Sequence, residues 1–353
     1  IEAHLSIGSD QRNTITNANL GDYDSSDSGK KTFPAISGTT LNADVDSTMS
    51  EELYVKGGNT YQPNSSGGDT INTHDVEING TLDLDANFIA ASGSWDNNGL
   101  FMANTGSVSF TGIGSETIAN VASGGYANGF YHLKIDSPNN GGTLTVSDFD
   151  NIASGQVKIE TGDTLSIGSG RKLTHTGSVL VLNGTISGAG RYVYRSATAF
   201  PTAGTISSIL VFDAQDGNQT MSARTYTGAV EITNNNTSTA RTVTMAAGTP
   251  YTFSSNLYLI ASTSQNITLD AAVNDPATVD VAGDLDFTGT AGGAEAINTG
   301  TGNWTLAGNV NFTDGTVTTE SGNTITMDGT GTLTSDAETL QNLTIDSSGT
   351  VTL

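Results

Sequence analysis

Cysteine is absent from all 353 residues, so no disulfide, thiolate metal site or cysteine nucleophile enters the account. Basic residues are scarce as well: 12 Lys and Arg face 36 Asp and Glu, a net charge of −24. Such a field repels nucleic acid and anionic membrane. Only Lys30-Lys31 and Arg171-Lys172 set two basic residues side by side, too few for a phosphate track. No nucleic-acid partner is therefore expected. No run approaches the roughly 18 apolar residues of a membrane span, so none is expected either. The sequence starts at Ile1 without a basic-then-apolar leader, which fits a mature, processed chain and equally a trimmed one. A secreted protein can dispense with disulfides if repetition supplies a long enough core.

What fills the space is polar and uncharged. Charged residues are 14% and hydrophobic residues 35%, while 43 glycines and many Ser, Thr and Asn make up the balance. Ser and Asn compete with a helical backbone and Thr is stiff at Cβ, so helices are disfavoured. Thr, Val, Ile and aromatics favour strands, and Gly, Asn and Asp favour the turns between them. The fold class expected is all-β.

Val310-Asn-Phe-Thr-Asp-Gly-Thr-Val-Thr-Thr-Glu-Ser-Gly-Asn-Thr-Ile-Thr-Met327 shows the rule. Val310, Phe312, Val317, Ile325 and Met327 alternate with polar residues, and Asp-Gly or Gly-Asn punctuates each strand. Strand starts recur about every seven or eight residues from Leu53 onward, so three strands make a coil of roughly 20 to 24 residues. A longer pattern overlies this one. Leu133-Lys-Ile-Asp-Ser137, Val230-Glu-Ile-Thr-Asn234 and Leu343-Thr-Ile-Asp-Ser347 each lead to Thr-apolar-Thr-apolar, and Val76-Glu-Ile-Asn-Gly80 is a compact copy. Gly93-Ser-Trp95, Gly190-Arg-Tyr192 and Gly302-Asn-Trp304 precede them. The intervals from Val76 to Leu133, from Leu133 to Val230 and from Val230 to Leu343 are unequal, the last nearly double the first. A sandwich of about 100 residues loses its Greek-key pairing when it gains or sheds that much strand, whereas a solenoid inserts whole turns. A parallel β-helix is favoured and tandem β-sandwich domains are the alternative.

The organisation expected is an N-terminal cap or assembly module over residues 1–70, followed by a β-solenoid over 71–353. Its repeat units fall at roughly 93–189, 190–301 and 302–353. Asp22, Asp24, Asp27, Lys30, Lys31, Asp44, Asp46, Glu51 and Glu52 make the N-terminal stretch more charged and less regular.

Gly93-Ser-Trp-Asp-Asn-Asn-Gly-Leu-Phe-Met-Ala-Asn-Thr-Gly-Ser-Val-Ser-Phe-Thr-Gly112, followed by Phe130-Tyr-His-Leu-Lys-Ile-Asp136, resembles repeats in large surface proteins of bacteria and archaea. These are the β-helical adhesins of the filamentous-haemagglutinin and autotransporter type. The resemblance covers about Leu53 to Leu353. It implies secretion, a solenoid and a structural or adhesive role at the cell surface, and it implies no catalytic residue.

β-Helices also carry polysaccharide lyases and hydrolases, but the Asp-Asp, Gly-His-Gly and Arg-Ile-Lys signatures of the galacturonan hydrolases do not occur here. His4, His74, His132 and His175 are dispersed without zinc-protease spacing, and exposed structural roles are expected for His132 and His175. Asp83 with Asp85, and Asp284 with Asp286, fall on the polar face of strands. No enzyme activity and no cofactor are expected. The one calcium candidate is the acidic loop carrying Asp22, Asp24 and Asp27, which lacks the turn glycine and closing glutamate of an EF-hand. Asn-x-Ser/Thr sequons stand at Asn64, Asn79, Asn183, Asn218, Asn235, Asn236, Asn266, Asn303, Asn311 and Asn342, about what the Ser/Thr content yields by accident.

The function expected is that of a filament subunit whose partner is another copy of itself. An adhesin stalk or carbohydrate-binding surface β-helix, whose partners are surface glycans or neighbouring cells, is the alternative. The last turn, with Val351 and Leu353, is expected to present an uncapped edge that pairs with another copy's Ile1, Leu5 and Ile7, the alternative being a longer natural chain that continues past Leu353.

Overall fold

A computed structural model of the chain is an all-β solenoid of about 12 turns, with no helix among the described residues. It describes the backbone of Lys30–Thr32, Thr40–Asn42 and Ser47–Thr48, and most of the chain from Glu52 on. The rest of 1–51 lies outside the described residues, as do 56, 57, 59, 64–66, 121–128, 149, 249, 263, 277, 290, 291, 314, 336, 337 and 348. Every described strand pair is parallel, which excludes tandem antiparallel sandwiches. Contacts divide the chain into two units, Ile1–Gly177 with Val181–Thr185, and Ser178–Leu180 with Ile186–Leu353.

The cause is the alternation itself. A strand with period-two hydrophobicity buries one face only, and stacking copies of it in register builds a continuous core from short pieces. In the first unit Leu53, Val76, Trp95 and Ile118 occupy equivalent positions of successive turns, and each is at most 1% exposed. In the second unit Leu210, Val230, Leu257, Leu285, Val310 and Leu333 form another such column. Ile135, Phe110, Val317 and Ile325 all point inward, as the alternation requires. From Ile209–Asp213 to Gly331–Thr334 each turn of the second unit visits three sheets, as in Leu257–Ile260, Ile267–Asp270 and Thr278–Val281 before Leu285–Phe287.

Aromatic side chains fill much of the interior. Trp95 packs edge-on to Phe101 at 4.8 Å and Phe130 at 5.5 Å in the first unit. Tyr194, Phe200 and Phe212 make a second cluster, and Tyr226 stacks flat on Phe253 at 5.2 Å. Edge-to-face and stacked ring pairs of this kind add to the stabilisation from buried area.

Turn length varies more widely than the regular coil expected from the strand rhythm. The turn that sets Ile209 opposite Arg191 is short, whereas the one that sets Leu285 opposite Leu257 is more than half as long again. The extra residues bulge at the corners, because only the strands are held in register.

The longer repeat has a different meaning from the one its spacing suggests. In the first unit Val76–Ile78 and His132–Ile135 belong to different sheets, and in the second Val230–Thr233 and Leu343–Ile345 do as well. The matching segments are one strand sequence used on several faces of the coil, and their separations are not whole turns. Within the stretch expected to form a cap, Lys30–Thr32, Thr40–Asn42 and Ser47–Thr48 lie in parallel on Glu52–Val55, Thr60–Gln62 and Thr70–Thr73 of the next turn.

Candidate functional site

Corners are where a solenoid must satisfy backbone groups that leave the ladder. In the first unit Leu84–Asn87 and Glu160–Asp163 close as four-residue turns, and in the second Glu320–Asn323 does the same. Each ends in a side chain buried to 0% exposure: Asn87, Asp163 and Asn323. Asp163 accepts from the backbone N–H groups of Ser137 (2.9 Å), Gly141 (3.1 Å) and Gly142 (3.1 Å), and from the Ser137 hydroxyl. This carboxylate folds the preceding turn's loop around itself. Gly177 marks another crowded corner, since a Cβ there would collide with the Gly155 carbonyl oxygen of the turn before.

A second device ties one turn to the next. Asn256 Oδ1 accepts from Asp284 N–H at 2.9 Å, Asp284 Oδ1 from Asn309 N–H at 2.8 Å, and Asn309 Oδ1 from Thr332 N–H at 3.1 Å. Asp75, Ser94 and Thr117 repeat the arrangement in the first unit.

A third device escaped the sequence reading. Gln219 and Glu295 are 2% and 1% exposed, and both reach the preceding turn. Gln219 Nε2 donates to the carbonyls of Tyr194 (2.7 Å) and Ser196 (3.2 Å), and Glu295 Oε1 accepts from Ala261 N–H at 2.7 Å. Glu338 Oε2 accepts from Val317 N–H at 3.1 Å in the same manner. Glu116, 6% exposed, serves Gly114 N–H within its own turn. Their common signature is Glu or Gln, then Thr or Ala, then an apolar residue, several positions after Phe-Thr-Gly or an equivalent turn.

Charged side chains pair locally. Arg195 holds Asp213, which is 1% exposed, at 2.8 Å. Lys134 with Asp136, and Lys158 with Glu160, pair along adjacent strands, Lys134 lying in register with Lys158.

The histidines correct an expectation. His175 is fully buried, not exposed, and burial pushes its pKa down to about 4. Its Nε2 donates to the Gly155 carbonyl at 3.1 Å. His132 is half-buried, its pKa also lowered by burial, and its Nδ1 accepts from Gln156 N–H at 2.8 Å. Asp83, Asp85, Asp284 and Asp286 lie on the outer faces as expected. Burial, then the neighbouring Asp85, raises the Asp83 pKa, and Asn104 donates to it at 2.6 Å. Among the described residues no three or more His, Asp or Glu side chains are grouped to hold a metal. No helix among them is long and apolar enough to cross a membrane.

The last turn differs from those beneath it. Leu343 and Ile345 lie directly on Ile325 and Met327. The lower pair is 2% and 0% exposed, the upper pair 38% and 48%. Leu353 is 78% exposed and Val351 half-buried. The sequence-derived partners Ile1, Leu5 and Ile7, the calcium candidates Asp22, Asp24 and Asp27, and the sequon at Asn64 lie outside the described residues.

Asn183, Asn218, Asn266, Asn303 and Asn342 are exposed, while Asn79, Asn235, Asn236 and Asn311 are half-buried. Several of these side chains serve the fold. Asn218 accepts from Thr242 N–H, Asn266 from Ala294 N–H, and Asn342 donates to the Asn323 carbonyl.

No protein-family model, curated protein or solved structure matches the chain.

Proposed function

We propose that this chain is a secreted structural protein of the cell surface, without enzymatic activity, whose copies add end to end to form a filament. The observation that carries the reading is the parallel, in-register stack itself, in which each turn from Ile209–Asp213 on lays an equivalent strand on the one before. Leu343 and Ile345 hold the positions that Ile325 and Met327 hold one turn below, yet they are open where those are covered. Leu343–Ile345 pairs on one side only among the described strands, and its other edge offers unpaired N–H and C=O groups. A strand of a second copy with apolar residues two apart extends the stack in the same parallel register. Because the two joined surfaces differ, the contact propagates and does not close.

The test compares the 353-residue chain with a Leu343→Lys, Ile345→Lys variant by analytical ultracentrifugation over a concentration series. The wild type is expected to form a ladder of oligomers that grows with concentration, and the variant to remain monomeric with an unchanged circular dichroism spectrum. A wild-type chain that stays monomeric throughout, as it would if that edge belongs under a continuation of the same polypeptide, overturns the reading. Oligomers that survive the substitutions also overturn it.

A further inference from the structure

Three turns of the first unit meet at Tyr131–His132, Gly155–Gln156 and His175–Gly177. The C=O of Gly155 and the N–H of Gln156 belong to one peptide group. From one side His132 Nδ1 accepts the Gln156 N–H at 2.8 Å, and from the other His175 Nε2 donates to the Gly155 oxygen at 3.1 Å. A single peptide is thus gripped by two imidazoles from the turns before and after it. The partners fix both tautomers. An N–H can only be accepted, so His132 Nδ1 carries no proton, and a carbonyl can only accept, so His175 Nε2 carries one.

The two grips respond differently to a proton. His175 keeps its donor when protonated, although the charge is then buried. His132 cannot keep its bond, because a protonated Nδ1 points a second donor at the Gln156 N–H. We infer that this His–peptide–His stack is a pH-sensitive latch, which protonation of His132 opens by withdrawing the acceptor from Gln156.

The surroundings leave this chemistry to the histidines. Ser107 and Gln156 stand opposite His132 on the neighbouring strands, and the Tyr131 ring lies edge-on at 4.4 Å. The charged groups close by are Lys134 and Lys158, paired with Asp136 and Glu160 at 2.5 Å. Ala153 stands opposite His175, and Lys172, on the same strand, is paired with Asp150 at 3.3 Å. Each carboxylate named here already has a lysine, and the lysines oppose a further positive charge at His132. Burial lowers the pKa of both imidazoles, so the latch is closed at neutral pH and opens in acid. Gly155 is also a tight corner: a Cβ there would stand 2.7 Å from the Tyr131 carbonyl oxygen, so the loops around the latch have little slack.

The test is hydrogen–deuterium exchange by mass spectrometry on the whole chain, corrected for the intrinsic pH dependence. A peptide spanning 153–160 is followed against a control spanning 257–260. Between pH 7 and about pH 4.5, protection of the first peptide is expected to fall roughly tenfold or more while the control holds. In His132→Gln, whose amide oxygen accepts the same bond without titrating, the part of that fall due to His132 is expected to disappear, leaving only what His175 contributes. Constant protection in the wild type, or an equal fall in His132→Gln, overturns the latch. Should the variant not fold, 15N NMR of the wild-type histidines decides instead. His132 Nδ1 unprotonated at pH 7, gaining its proton as the Gln156 amide signal shifts, upholds the latch. A protonated Nδ1 at pH 7 overturns it.

Discussion

Single side chains in this protein act chiefly as ties between turns, and their removal has predictable costs. Ile325 sits in a continuous apolar column, so Ile325→Asp buries an unpaired charge and is expected to cost several kcal/mol, on the order of 3–5. Asp213 is buried against Arg195 and also accepts from Gln215 N–H and Asn235 N–H. Asp213→Ala strands the guanidinium and two amides, and a loss of about 3 kcal/mol is expected in a urea titration. His175 makes stability depend on pH. Its pKa is about 4 in the folded chain and near 6.5 when unfolded, so the unfolded state binds more protons between those values. Its contribution is whole above pH 6.5 and is lost as pH falls towards 4, about 3 kcal/mol in all. Urea midpoints measured for wild type and His175→Gln across that window are expected to converge as the pH drops.

At the scale of strands and turns, the alternation made the elements legible in advance. Val310, Phe312, Val317, Ile325 and Met327 were marked as inward by period two, and all are buried. Phase was harder to read. Leu133-Lys-Ile and Val230-Glu-Ile look like copies of one position in a long repeat, yet similar strand sequences recur on different sheets within a unit. Every face of a coil makes the same demand, an inward apolar pair and an outward polar residue, so sequence similarity does not report which face is meant. The corner residues were hidden for another reason. Gln219 and Glu295 are polar and flank strands, which reads as solvent exposure until the neighbouring turn supplies the Tyr194 and Ser196 carbonyls or the Ala261 amide. His175 was misread in the same way. Turn-by-turn register also gives a test at this scale. Excising Val230 to Asn256 sets Leu257 on Leu210, the same column, and is expected to leave a folded chain with a cooperative thermal transition. Excising only Val230–Thr233 breaks the cycle of three sheets and is expected to abolish that transition. Circular dichroism melts distinguish the two.

For the whole molecule, composition and fold lead to the same reading. On the proposed reading, a net charge of −24 would keep the sides of neighbouring copies apart, while the exposed pair Leu343 and Ile345 would favour addition along the stack. High salt screens the sides, so lateral bundling is expected to increase with ionic strength while end-to-end spacing stays fixed. The most direct measurement is cryo-electron microscopy of the purified chain at a concentration where it associates. The account predicts filaments in which strands continue across each joint at a spacing of about 4.8 Å, with Leu343 and Ile345 covered by the next copy. Particles that remain single at every concentration, or copies joined side to side with Leu343 and Ile345 still open, would contradict it.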